Sequence, residues 1–121
     1  MREDIFAAAA ALSKPAQTEG ELLRTLCDAR ALELERQLRA EVSANDCAAA
    51  FTCAAGWLAA ADLEDIRCAA EELSSARAGD MSVTVAGAGE RSERTALLRR
   101  QARRLMEPYC TDGFFFCGVR G

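Results

Sequence analysis

Apolar residues recur at helical spacing over most of this 121-residue chain. The first such stretch runs from about Glu3 to Leu12, with acidic residues in its opening turn and Pro15 just beyond its end, which predicts a short helix over 3–12. Thr18-Glu19-Gly20-Glu21 then has the form of a capping box, in which the Thr18 hydroxyl and the Glu21 carboxylate satisfy backbone donors reciprocally. A second helix follows over 18–41. Leu23, Cys27, Ala31, Leu34 and Leu38 make its apolar stripe, and Glu33, Glu35, Arg36 and Arg39 lie off it. Ser43 or Asn45 caps a third helix over 44–66. Its first four turns are apolar all round, so it should be buried between neighbours, with Phe51, Trp57 and Leu58 supplying bulk. Ala54, Ala55 and Gly56 permit another backbone to come close, within the chain or from a second copy.

The period then changes. In ELSSARAGDMSVTVAG, Met81, Val83 and Val85 alternate with Ser82 and Thr84, and Ala78-Gly79-Asp80 is turn chemistry, so a β-hairpin is expected over 72–85. Gly87-Ala88-Gly89 reads as a link. A fourth helix is expected over 92–106, with Leu98, Ala102 and Leu105 on one side and Arg99, Arg100, Arg103 and Arg104 on the opposite arc. Pro108 ends it. Thr111-Asp112-Gly113 is a turn signal, and residues 110–121 suit an extended arm. The expectation is one mainly α domain over 1–121: a small bundle of about four helices with one β-hairpin and a C-terminal arm.

Composition sharpens this picture. Half of the residues are apolar, but alanine supplies much of that and buries little surface per residue, so the core should be thin. The formal net charge of −4 argues against a surface devoted to nucleic acid. The charge is uneven: six arginines against two glutamates fall between Arg91 and Glu107. No secretory signal is expected from Met1-Arg2-Glu3-Asp4 and the short Ala7–Leu12 run, and Ala48–Ala61 is too short to cross a bilayer. A soluble cytoplasmic protein follows.

Candidate chemistry is sparse. There are six cysteines and no histidine, no CxxC pair and no nucleophile elbow, so buried reduced thiols are favoured over a disulfide or zinc framework, and no catalytic, metal or cofactor site is assigned. Glu64-Asp65 and Glu71-Glu72 are adjacent in sequence and do not face one another on a helix, which reads as solvated charge. Glu90 and Glu93 disfavour a phosphate beside Gly87-Ala88-Gly89. The arginine face is either a solvated helix side or a contact for phosphates, an acidic partner or a neighbouring subunit. Phe114, Phe115 and Phe116 cannot all bury against one sheet face, because consecutive strand side chains point to opposite sides. Capping of the chain's own core and docking onto a partner's sheet edge both remain open.

The Ala/Leu-rich helical front, the hairpin-like ARAGDMSVTVAG and above all LLRRQARRLMEPYCTDGFFFCGVRG together resemble the small head-tail connector proteins, also called adaptor or head-completion proteins, of long-tailed phages and of prophages in Gram-positive bacteria. The resemblance covers essentially the whole chain. It implies a non-enzymatic structural virion component that assembles as a ring under the portal and links the DNA-filled head to the tail. Its partners would be copies of itself, the portal, a neck or tail-completion protein and, without sequence-specific binding, the genome DNA passing through the channel. The resemblance also implies a place in the host cytoplasm during assembly and in the virion neck afterwards, with no membrane. Phe114, Phe115, Phe116, Val119 and Arg120 would form a docking arm. Gly79, Asp80, Met81, Arg99, Arg100, Arg103 and Arg104 would meet a subunit or the channel. The other reading is a small helical regulator whose arginine face contacts nucleic acid or an acidic partner.

Overall fold

The computed structural model describes the backbone of residues 1–78 and 85–111 and the side chains of 1–71 and 92–111. Four α-helices form among these residues: α1 over Arg2–Ser13, α2 over Gly20–Gln37, α3 over Ala48–Ala78 and α4 over Val85–Met106. α3 packs against each of the other three. At 31 residues it is ~46 Å long at 1.5 Å per residue.

Local signals explain the first half. α1 carries Glu3 and Asp4 in its first turn, where carboxylates complement the helix dipole. It buries Ile5, Ala9 and Ser13, one residue per turn on one side. Its end is an αL cap at Lys14 (φ 45°), whose N–H donates to the Ala10 carbonyl at 2.8 Å, and Pro15 prevents continuation. The capping device before α2 lies two residues earlier than Thr18 and Glu21 suggest. The Glu19 carboxylate accepts the Ala16 N–H at 2.9 Å across a 3-10 turn over Gln17–Glu19. A second such turn, Ala44–Cys47, leads into α3, and there the Asp46 carboxylate accepts the Ser43 N–H at 2.9 Å.

The expected hairpin is corrected. Residues 72–77 are the last turns of α3, not a strand, and Val85 already belongs to α4. Glu, Leu, Ala and Arg in 72–77 are good helix formers, and continuing an existing helix adds one hydrogen bond per residue without a new nucleus. Gly79, Asp80 and Met81 lie outside the described residues. Gly87-Ala88-Gly89 is helical rather than a link, although each glycine costs about 1 kcal/mol relative to alanine there. No strand is present among the described residues, only an isolated antiparallel bridge between Leu38 and Cys110. α2 stops at Gln37, short of the expected Glu41, because Leu38 turns extended to make that bridge.

The core follows the stripes. Leu23, Cys27 and Leu34 of α2, Phe51, Ala54, Ala55, Leu58, Ala59 and Leu63 of α3, and Ala102 and Met106 of α4 are buried. Gly56 is where α1 comes closest to α3. A Cβ there would lie 2.8 Å from the Ala8 Cβ, 3.0 Å from the Ile5 carbonyl oxygen and 3.1 Å from the Ala9 nitrogen. The small-residue face of α3 thus receives α1 of the same chain.

Polar groups lock this contact from the far end of α1. Arg67 of α3 donates from Nη1 to the Ser13 carbonyl at 3.0 Å and forks onto Glu19 through Nη2 (2.6 Å) and Nε (2.9 Å). The Arg67 fork and then the Ala16 N–H hold the Glu19 carboxyl at about 2, against an ordinary 4.5.

Two measurements test this account. Gly56→Ala should lower the urea midpoint at unchanged slope, by about 1–3 kcal/mol from overpacking. Gly20→Ala, with nothing within 4 Å of the added carbon and helical backbone, should instead gain about 0.4–1 kcal/mol. Because the Glu19 pKa is depressed, its ion pair stabilises fully above about 4.5 and that contribution is lost as pH falls toward 2. A Glu19→Gln chain should therefore show a flatter fall of urea midpoint across that window than the parent.

Candidate functional site

The inward stripe of α4 is Thr95, Arg99, Ala102 and Met106, spaced 4, 3 and 4 residues apart, with Leu98 and Leu105 half-buried beside it. Thr95 is buried and donates its hydroxyl to the Ser92 carbonyl at 3.0 Å. Arg99 therefore does not stand on an outward basic face. Its Nη2 donates to Asp62 Oδ1 at 3.1 Å and to Asp65 Oδ2. Asp62 is simultaneously gripped by Arg30 of α2, Nε to Oδ2 at 2.6 Å and Nη2 to Oδ1 at 2.7 Å. One carboxylate on α3 thus ties α2 and α4 together. Hydrogen bonding to Asp62 raises the Arg30 pKa still further, as a bidentate charged pair should.

The neighbouring Glu64 repeats the motif. It accepts Arg67 Nη1 at 2.8 Å and Arg94 Nη2 of α4 at 3.1 Å, and its side chain is only 13% exposed. Glu64 and Asp65 are structural ion-pair partners rather than solvated charge. Arg30, Asp62 and Arg67 were not singled out by periodicity, though a signal existed: Asp62 follows Leu58 by four residues and Ala55 by seven, a charged residue on a core stripe.

The remaining arginines behave differently. Arg100 and Arg104 are exposed and Arg103 is half-exposed. Among the described residues, no carboxylate pairs with any of the three. Arg103 and Arg104 fall in the last turn of α4, where positive charge complements the helix dipole.

Immediately beyond them the chain is anchored. Tyr109 offers its carbonyl to the Arg39 N–H (3.0 Å), the Thr111 N–H donates to the Gln37 carbonyl (3.0 Å), and Arg39 Nε donates to the Cys110 carbonyl (3.2 Å). Cys110 is buried and Tyr109 packs on the core. Phe114, Phe115, Phe116, Val119 and Arg120 lie outside the described residues.

A groove of about 330 Å³ opens near this root, between the start of α1, the second half of α2 and the start of α3. Its apolar lining is Met1, Ile5, Ala31, Leu32, Ala44 and Phe51. Arg2 and Asp28 bridge its rim, Nε to Oδ1 at 2.9 Å and Nη2 to Oδ2 at 2.6 Å.

The cysteines divide by burial. Cys27, Cys47 and Cys110 are buried free thiols, while Cys53 and Cys68 are partly exposed. Burial pushes Cys27 up to about 11 and raises Cys47 and Cys110, which keeps these three protonated and non-nucleophilic near neutrality. Among the described residues, no helix is long and apolar enough to cross a membrane, and no group of three or more acidic or cysteine side chains is arranged to hold a metal ion. Searches of known protein families, of curated proteins and of solved structures give no match to the chain.

The division among the arginines can be measured. Asp62→Ala removes the carboxylate that ties α2 to α4, leaving Arg30 only Glu33 and Arg99 only Asp65, and should cost about 1–3 kcal/mol in urea unfolding. Arg100→Ala and Arg104→Ala should each stay within about 0.5 kcal/mol of the parent.

Proposed function

We propose that this chain is a structural virion component, a head-tail connector or adaptor that assembles as a ring under a phage or prophage portal and links the DNA-filled head to the tail. The observation that carries this reading is the anchored root of the closing segment. The Leu38–Cys110 bridge and its flanking hydrogen bonds fix the chain to the bundle up to Thr111, and the sequence that follows carries three phenylalanines. Such a segment is suited to docking by strand addition, where main-chain bonds give affinity and alternate side chains give specificity. Phe114, Phe115, Phe116, Val119 and Arg120 act as the arm. Arg100, Arg103 and Arg104, which no carboxylate pairs among the described residues, meet the portal, a neighbouring copy or the DNA backbone in the channel. Gly79, Asp80 and Met81, which connect α3 to α4, contribute a subunit or channel contact.

The partners in this reading are further copies of the chain, the portal and a neck or tail-completion protein, met in the host cytoplasm during assembly and retained in the virion neck. The chain works by assembly and uses no cofactor or catalytic group. A second reading has a specific observation behind it: the same three arginines, without a carboxylate partner among the described residues, would serve a small helical regulator that contacts nucleic acid or an acidic protein.

Co-expression with the portal protein of the same genome discriminates the two. The connector reading expects a portal complex with ring-shaped density in electron microscopy, and loss of that complex, with helical circular dichroism retained, on deletion of residues 112–121. Absence of both ring and portal complex would overturn it. Salt-sensitive nucleic-acid binding that disappears in an Arg100→Gln, Arg103→Gln, Arg104→Gln chain would favour the regulator instead.

A further inference from the structure

We propose that the groove between α1 and α2 receives the outward face of α4 from a second copy of this chain, with Leu97 entering the groove and Arg100 and Arg104 meeting the Glu35 carboxylate at its rim. This pairing deepens the connector reading and rests on it for the closing of the contact into a ring.

The receiving surface is apolar and open. Ile5, Ala31, Leu32, Ala44 and Phe51 line a space of about 330 Å³, and the described residues leave Leu32 51% exposed on its wall. Its two carboxylates differ. Asp28 is occupied by the fork from Arg2. Glu35 is exposed, and among the described residues no cation pairs with it.

The offered surface is on α4. With Thr95, Arg99, Ala102 and Met106 turned inward, Leu97, Arg100 and Arg104 fall together on the opposite side, at helical spacing. Leu97 is 47% exposed. Both arginines are exposed, and among the described residues no carboxylate pairs with either. The two surfaces are complementary in polarity and in charge. The leucine gains burial, the arginine stems lie along the apolar wall, and the guanidinium heads reach the carboxylate. A cavity of ~150 Å³ holds a benzene ring, so this groove has room for the leucine and the stem of an arginine.

These surfaces cannot meet within one chain. Asp28 and Arg30 stand ~200° apart around α2 at 3.6 residues per turn. Asp28 binds Arg2 of α1, whereas Arg30 binds Asp62, the carboxylate that also holds Arg99 of α4. The groove therefore lies on one flank of α2 and α4 on the other, and another copy supplies the partner of each. A contact between two different patches of one chain is heterologous, so it repeats from copy to copy and gives a ring when its rotation closes. The ends of α2 and α4 are joined through the Leu38–Cys110 bridge. Glu35, Arg100 and Arg104 all precede that bridge by a few turns at most, which sets successive copies side by side.

Sedimentation velocity on the full chain and two variants tests this, each variant altered only at exposed positions and checked for the helical circular dichroism of the parent. One carries Leu32→Asp and Glu35→Arg and spoils the groove. The other carries Leu97→Asp, Arg100→Glu and Arg104→Glu and spoils the face. Expected are association of the parent that rises with concentration and weakens with salt, and its loss in each variant alone. A mixture of the two retains one sound groove and one sound face, and should give a dimer with one copy of each and nothing larger. A parent that stays monomeric, a variant that associates like the parent, or a mixture that stays monomeric would overturn the proposal. Portal complexes and rings that persist in both variants would overturn it while leaving the connector reading intact. A mixed dimer, with no ring or portal complex from the parent, would remove the connector reading and leave the contact standing.

Discussion

The architecture depends on the shortness of alanine. α3 meets three helices, and for four turns its contact surface is mostly Ala with single large residues between. Side chains of one carbon bury little area, so the dispersion and hydrophobic gain per contact is small unless backbones approach closely. Gly56 is the extreme case, where even one further carbon meets α1. A thin core leaves the relative rotation of the helices weakly specified, because small, similar side chains interdigitate almost equally well in neighbouring registers.

Charged groups supply what the alanines do not. Asp62 accepts from α2 and α4 together, and Glu64 and Glu19 meet a single Arg67 that also holds the end of α1. Partly buried ion pairs of this kind add little net stability over apolar replacements, yet breaking one partner is costly, so their clearest effect is on which arrangement the helices adopt. That internal use also partitions the arginines. Arg30, Arg67, Arg94 and Arg99 hold helices together, whereas no carboxylate pairs with Arg100, Arg103 or Arg104 among the described residues.

Much of this was legible in the sequence, and the failures have physical causes. Pro15, the α2 stripe and the all-apolar start of α3 placed the first three helices, because each rests on local stereochemistry or on periodic burial. Periodicity could not find Arg30, Asp62 or Arg99, since it scores a charge as outward while two opposite charges can satisfy one another inside. The alternation Met81, Val83, Val85 suggested a strand, and residues 72–77 were then assigned as its partner, though their own composition favours helix. Of the four arginines expected on one outward arc, Arg99 instead pairs with carboxylates of α3.

The bridge between α2 and the end of α4 has a kinetic meaning. It joins positions 71 residues apart at Arg39 and Cys110, so its loop-closure entropy is offset only after the helices between have condensed. The root of the closing segment is then among the last contacts to form and among the first to open. A nascent or partly folded chain would lack this tie, and only a completed bundle would hold Tyr109, Cys110 and Thr111 against Arg39, Leu38 and Gln37. Order of folding, rather than any ligand, then decides when this anchor is in place.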